Sequence, residues 1–132
     1  MPSKPTRGEL AILRVLWTRG ECTVREVHEQ LSPAQETGYT TTLKQIQVMT
    51  EKGLVTRTER GRFHVYRARG LEGTVQKRLI RELVDLAFGG SSGRLALQAL
   101  SSQRASPDEL REIRQLLDRQ EQPDPRTPKK SR

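Results

Sequence analysis

The sequence predicts a mostly α-helical fold with a small β wing: a winged helix-turn-helix followed by a C-terminal helical dimerisation region. Three observations predict it. Three helix starts carry the same Ser/Thr-x-x-Glu signature, the hydrophobic period switches from helical to strand-like near Leu54, and the helical period returns beyond Gly70.

The helix starts are Thr6 with Glu9, Thr23 with Glu26, and Ser106 with Glu109. In each, the hydroxyl accepts from a free backbone N–H while the carboxylate three residues on reaches back to the cap's own N–H. After Thr6 the apolar residues Leu10, Leu13, Leu16 and Trp17 recur at helical spacing, and Gly20 supplies the stop. After Thr23, the residues Val24, Val27 and Leu31 mark one face of a short second helix. Ser32-Pro33 closes it, because the residue before proline avoids the helical region. A third amphipathic segment runs from Tyr39 to Lys52 through Tyr39, Leu43, Ile46 and Met49 and ends at Gly53, a left-handed cap. Two short helices followed by a third make a helix-turn-helix.

Leu54–Thr58 and Phe63–Arg67 are β-rich runs, and Glu59-Arg60-Gly61-Arg62 between them reads as a hairpin tip. Beyond Gly70 a helical stripe of Val75, Leu79, Leu83 and Leu86 is widened by Ile80, Val84 and Ala87. Gly89-Gly90-Ser91-Ser92-Gly93 reads as a flexible joint, followed by a short apolar stretch from Leu95 to Leu100. The last capped helix carries Leu110, Ile113, Leu116 and Leu117. Past residue 119 the chain is proline-rich and basic with no apolar residue, a disordered tail. The expected division is therefore a winged-helix domain over 1–70, a dimerisation region over 71–119 and a tail over 120–132.

Composition narrows the function. With 132 residues, 33% of them hydrophobic, the chain can bury one compact domain with a helical appendage, which excludes a large two-domain enzyme. A net charge of +8 favours a polyanionic partner. Cys22 is the only cysteine, so no disulfide framework and no cysteine-rich metal site can form. The first nine residues are polar and no stretch approaches the ~20 apolar residues of a membrane span, so the expected chain is cytoplasmic with no membrane insertion.

In a helix-turn-helix the second helix of the motif enters the major groove, where each base pair shows a distinct edge. If Tyr39, Leu43, Ile46 and Thr50 point inward, the ~100° step per residue puts Thr41, Lys44, Gln45, Val48 and Lys52 outward, with Thr40 at the margin. Threonines near the helix start suit phosphate or base contacts. Gln45 suits adenine, Lys44 guanine or phosphate, and Val48 a thymine methyl. The wing strengthens this: from Tyr39 to Gly70 seven cations face only Glu51 and Glu59, so +5 of the chain's +8 lies there. Arg60 and Arg62 flank the glycine of the tip, suited to a phosphate backbone or a minor groove. The surplus apolar stripe of Val75, Leu79, Leu83, Leu86, Leu110, Ile113, Leu116 and Leu117 asks for a second copy of the chain, as a homodimer.

Together the runs Glu9–Trp17, Thr23–Val27, Tyr39–Lys44, Met49–Val55 and Gly61–Tyr66 resemble the BlaI/MecI penicillinase-repressor family, over residues 6 to 117. The resemblance implies a dimeric cytoplasmic repressor that binds double-stranded DNA at an inverted-repeat operator, with the C-terminal helices making the dimer. In antibiotic-responsive members a membrane-bound sensor metalloprotease triggers cleavage of the repressor. The family's cleavage bond lies between Asn and Phe, and its best match here, Ala87-Phe88, lacks the Asn. The copper-responsive branch uses paired cysteines near the C-terminus, and this chain has none there.

Other sites fail on spacing. His28-Glu29 is not a zinc-protease motif, since Ser32 stands where the second His belongs. His64 reads as a half-exposed strand residue, Cys22 as a small structural residue, and Trp17 as core. No Lys-Ser/Thr follows the glycine run to make a phosphate loop. No cofactor and no enzyme chemistry is expected. Two other readings share the same surface: a winged-helix regulator controlled directly by a small ligand, and a nucleic-acid- or protein-binding adaptor.

Overall fold

A computed structural model describes residues 4–31 and 38–122. Its elements are α1 (Arg7–Arg19), α2 (Val24–Leu31), α3 (Tyr39–Lys52), β1 (Val55–Arg60), β2 (Phe63–Ala68), α4 (Glu72–Ala87), α5 (Ser92–Ser102) and α6 (Pro107–Glu121). The three capping boxes form as the sequence predicts. Thr6 Oγ1 accepts from the Glu9 N–H at 3.2 Å, and Thr23 and Ser106 accept from Glu26 and Glu109, each at 3.1 Å. The backbone N–H groups of Thr23 and Ser106 in turn hold the Glu26 and Glu109 carboxyls below the usual carboxylate range. Gly20 and Gly53 end α1 and α3, and Gly53 takes the left-handed conformation (φ 81°, ψ 18°) that a side chain would resist. The expected stop of α2 at Ser32-Pro33 lies outside the described residues.

The core of the N-terminal part gathers Ile12, Leu13 and Leu16 from α1, Val27 from α2, Ile46 and Met49 from α3, and Leu54, Val55 and Tyr66 from the hairpin. One register differs from expectation. The fully buried residues of α3 are Thr42, Ile46 and Met49, whereas Tyr39 is 40% exposed. Ile46 and Met49 of the amphipathic pattern are core, but the inward face is turned by roughly 60° about the helix axis from the Tyr39–Leu43–Ile46–Thr50 face taken as inward from the sequence. Thr42, a polar residue, is tolerated in the core because its Oγ1 is hydrogen-bonded to His28 Nδ1 at 3.0 Å.

The hairpin pairs Val55 with Ala68 through to Arg60 with Phe63, antiparallel. Its turn is tighter than the four residues expected, since Glu59 and Arg60 belong to β1 and only Gly61-Arg62 turns the chain. Gly61 has φ 63°, which suits the first central position of a two-residue hairpin turn. A single rung joins the hairpin to the segment between α1 and α2. The Cys22 N–H donates to Tyr66 O at 3.0 Å, and the Tyr66 N–H donates to Cys22 O at 2.7 Å. After the hairpin, Trp17 Nε1 donates to Gly70 O at 3.3 Å.

Two compact units divide the chain at Ile80/Arg81, within α4. In the second unit the glycine run is less of a joint than expected. Gly89 and Gly90 turn the chain at φ 57° and 84°, but the Ser91 side chain caps the Arg94 N–H, so Ser92 and Gly93 already belong to α5. The apolar stretch Leu95–Leu100 is therefore helical. Neither α5 nor α6 buries a residue fully. Helix α6 continues through Glu121, beyond the expected start of the tail, and residues 123–132 lie outside the described residues. No helix among the described residues is long and apolar enough to cross a membrane.

Candidate DNA-binding interface

The rotation of α3 decides what it shows to solvent. Thr40, Thr41, Lys44 and Val48 are exposed, as the sequence predicts, and Gln47 and Glu51 share their face. Gln45 and Lys52 do not. Gln45 turns toward α1, close enough that a Cβ on Gly8 would come 2.5 Å from its Nε2. Lys52 also turns toward α1, where its Nζ donates to both carboxylate oxygens of Glu9, at 3.0 and 2.9 Å. Sequence reading missed Gln47, although its offset of three residues from Lys44 is the signal that places it there.

The Glu9–Lys52 pair belongs to the scaffold. Burial alone would raise the Glu9 carboxyl, but the Thr6 N–H, then the Lys52 ammonium and the Thr6 hydroxyl, outweigh it and hold the group below its ordinary 4.5. A depressed folded-state pKa makes the pair's stabilisation complete above the ordinary carboxylate value, and it is lost as pH falls through the folded one. Glu9→Gln should therefore cost about 1–3 kcal/mol at pH 7, because the Lys52 ammonium loses the carboxylate it donates to. Urea unfolding of parent and variant should show that gap closing as the pH falls below the ordinary carboxylate range. An equal gap at both pH values would remove the charge from the account.

At the wing, Arg62 and Phe63 are exposed at the tip, with Phe63 65% exposed. Arg60 is also exposed, and its Nη2 lies 3.2 Å from Glu21 Oε2. That pair is solvated and adds little to stability, so it biases the direction of the guanidinium without locking it. Arg57 and Arg67 add exposed charge on the two strands.

Cys22 is buried, and burial first and the Glu26 carboxylate second push its thiol above the ordinary 9.0 against a smaller pull from Arg19, so it stays a protonated, inert thiol. His64 Nε2 lies 3.6 Å from Glu59 Oε1 across the hairpin. No cluster of three metal-ligating side chains occurs among the described residues. Of the dimerisation candidates, Val75, Leu79, Leu110 and Ile113 are half-buried, while Leu83, Leu86, Leu116 and Leu117 are exposed. Phe88 still donates its N–H to Val84 O at 3.1 Å, so the Ala87–Phe88 bond lies in the last turn of α4.

A polar, threonine-rich helix face beside a basic hairpin, carried on a helix-turn-helix, defines a winged-helix DNA-binding protein. The sequence profile of the penicillinase repressors matches residues 5–119, and the chain belongs to that family. It is 32% identical over 111 residues to the transcriptional regulator BlaI of Mycobacterium tuberculosis, strain H37Rv, covering 83% of this chain and 79% of the relative. BlaI of strain CDC 1551 matches to the same extent. In fold it resembles the PcaV transcriptional regulator of Streptomyces coelicolor, with a TM-score of 0.50 and 20% identity, over 90% of this chain and 77% of that one. The chain is accordingly a DNA-binding transcriptional repressor of the BlaI/MecI type and not an enzyme.

Proposed function

We propose that the repressor acts in the cytoplasm as a homodimer on an inverted-repeat operator. Each winged-helix domain, over residues 1–70, reads one half-site, and residues 71–119 hold the two copies together. The outward face of α3 carries the reading: Thr40, Thr41, Lys44, Gln47 and Val48 are exposed on one side of a helix whose opposite side is core. Lys44 and Gln47 can pair two-pronged with base edges, Val48 can meet a thymine methyl, and the threonines can meet phosphate or base. Gln45 and Lys52 stand behind this face, Gln45 against α1 and Lys52 bound to Glu9. Arg62, with Arg60 steered by Glu21, follows the flanking backbone or the minor groove. The exposed Leu83, Leu86, Leu116 and Leu117 support the dimer, since an isolated chain leaves them in water.

Release by a membrane-bound sensor metalloprotease would act at Ala87–Phe88, next to the Gly89-Gly90 turn. The bond sits in a helical turn, so cleavage there requires the end of α4 to unwind first.

Full-length repressor should bind its two-fold site as a dimer and prefer it over scrambled duplex by ~10³-fold or more. Equal affinity for both duplexes would replace sequence reading with a general affinity for polyanions. Mass spectrometry of repressor from induced cells should find a break before Phe88, and an intact chain in derepressed cells would eliminate the proteolytic step.

A further inference from the structure

The outward face of α3 and the wing tip leave one basic feature unexplained. A groove of about 550 Å³ opens between the start of α2, the start of α3 and β2, lined among others by Thr23, Arg25, Tyr39, Arg62 and His64. Its one carboxylate, Glu26, accepts the Thr23 N–H at 2.8 Å as part of the α2 cap.

Arg25 is held in place by a chain of contacts that begins in the core. The wholly buried Thr42 is hydrogen-bonded through Oγ1 to His28 Nδ1 at 3.0 Å. The His28 ring meets Tyr39 edge-on, with centroids 5.7 Å apart and planes at 83°. The Arg25 guanidinium carbon in turn lies 5.4 Å from the Tyr39 ring centroid. Arg25 itself is exposed, and among the described residues its guanidinium has no carboxylate partner. Nothing in the packing of the core requires an arginine to be ordered in this way.

We propose that this groove seats a phosphodiester of the DNA backbone at the edge of each half-site, an inference that rests on the DNA reading of α3. Arg25 is the phosphate contact, Arg62 closes the groove from the wing, and Tyr39, His28 and Thr42 are positioning residues. Tyr39 immediately precedes Thr40 and Thr41, so a strand lying along the outward face of α3 passes this groove. The planar guanidinium fork matches the geometry of phosphate oxygens. Stacked on an aromatic ring beforehand, it loses less freedom on contact than a free side chain. A phosphate contact fixes register and orientation without reading a base.

The test measures affinity of the full chain for operator and for scrambled duplex across a salt series. Arg25→Ala should flatten the slope of log affinity against log salt by about 0.9 for each half-site. It should weaken both duplexes, and leave the melting temperature unchanged because the side chain is exposed. Arg25→Lys should restore the slope, since the charge returns. Tyr39→Leu should keep the slope and weaken binding about threefold, because the guanidinium keeps its charge and loses its stacking. An unaltered slope in folded Arg25→Ala would overturn the assignment while leaving the DNA reading intact. A parent chain whose binding does not depend on salt would overturn both.

Discussion

Replacing Lys44 and Gln47 together with alanine should lower the preference for operator over scrambled duplex about a hundredfold or more, with the chain still folded and dimeric. Both side chains project from the solvent face of α3 and neither contributes to the core, so their loss costs the fold little. A two-pronged pairing with a base edge discriminates by about 1–3 kcal/mol, and two such pairings multiply as ratios. The control is Gln45→Ala. Hydrophobic periodicity puts Gln45 on the reading face, whereas the structure turns it toward Gly8 of α1. If Gln45→Ala destroys the preference and the double variant keeps it, the helix docks with the other register and the rotation about Thr42 has no bearing on recognition.

The second large effect concerns assembly. Leu86→Glu combined with Leu117→Glu should leave each chain folded and turn the dimer into a monomer at micromolar concentration. In the single chain Leu86 is 77% and Leu117 52% exposed, so the charges meet water there rather than a core. Across a two-fold interface each change occurs twice. Removing four leucines from it at about 1.5–3 kcal/mol each weakens association by several orders of magnitude even before four carboxylates are added. Binding to the two-fold site should fall accordingly, while half-site affinity persists. Sedimentation of parent and variant decides the matter: a monomeric parent, or a variant that still dimerises, would place the self-association surface elsewhere.

Most of the fold was legible because its signals are local. Thr6 with Glu9, Thr23 with Glu26 and Ser106 with Glu109 are interactions over three residues, and Gly20 and Gly53 act on their own backbone. What escaped was settled between elements. On α3 a hydroxyl is paired with a histidine 14 residues away, so a threonine that counts as polar in any periodicity sits in the core. Lys52 is withdrawn by Glu9, 43 positions earlier, and Arg60 is steered by Glu21, 39 positions earlier. Such pairs leave no trace in spacing. The Ser91 cap was hidden differently, because its glycine neighbours look like a linker until the Arg94 N–H finds the serine oxygen.

The rung between Cys22 and Tyr66 divides the mechanical work of the domain. It ties the hairpin to the residue just before the Thr23 cap, so a pull on the wing is passed through two hydrogen bonds to the start of α2. Gly53 and Leu54 join the same hairpin directly to the end of α3, and the Leu54 N–H donates to Met49 O at 2.9 Å, so the wing is anchored to both helices of the motif. If the outward face of α3 reads the operator as proposed, substitutions at its exposed positions change the sequence that is read while leaving these anchoring hydrogen bonds in place.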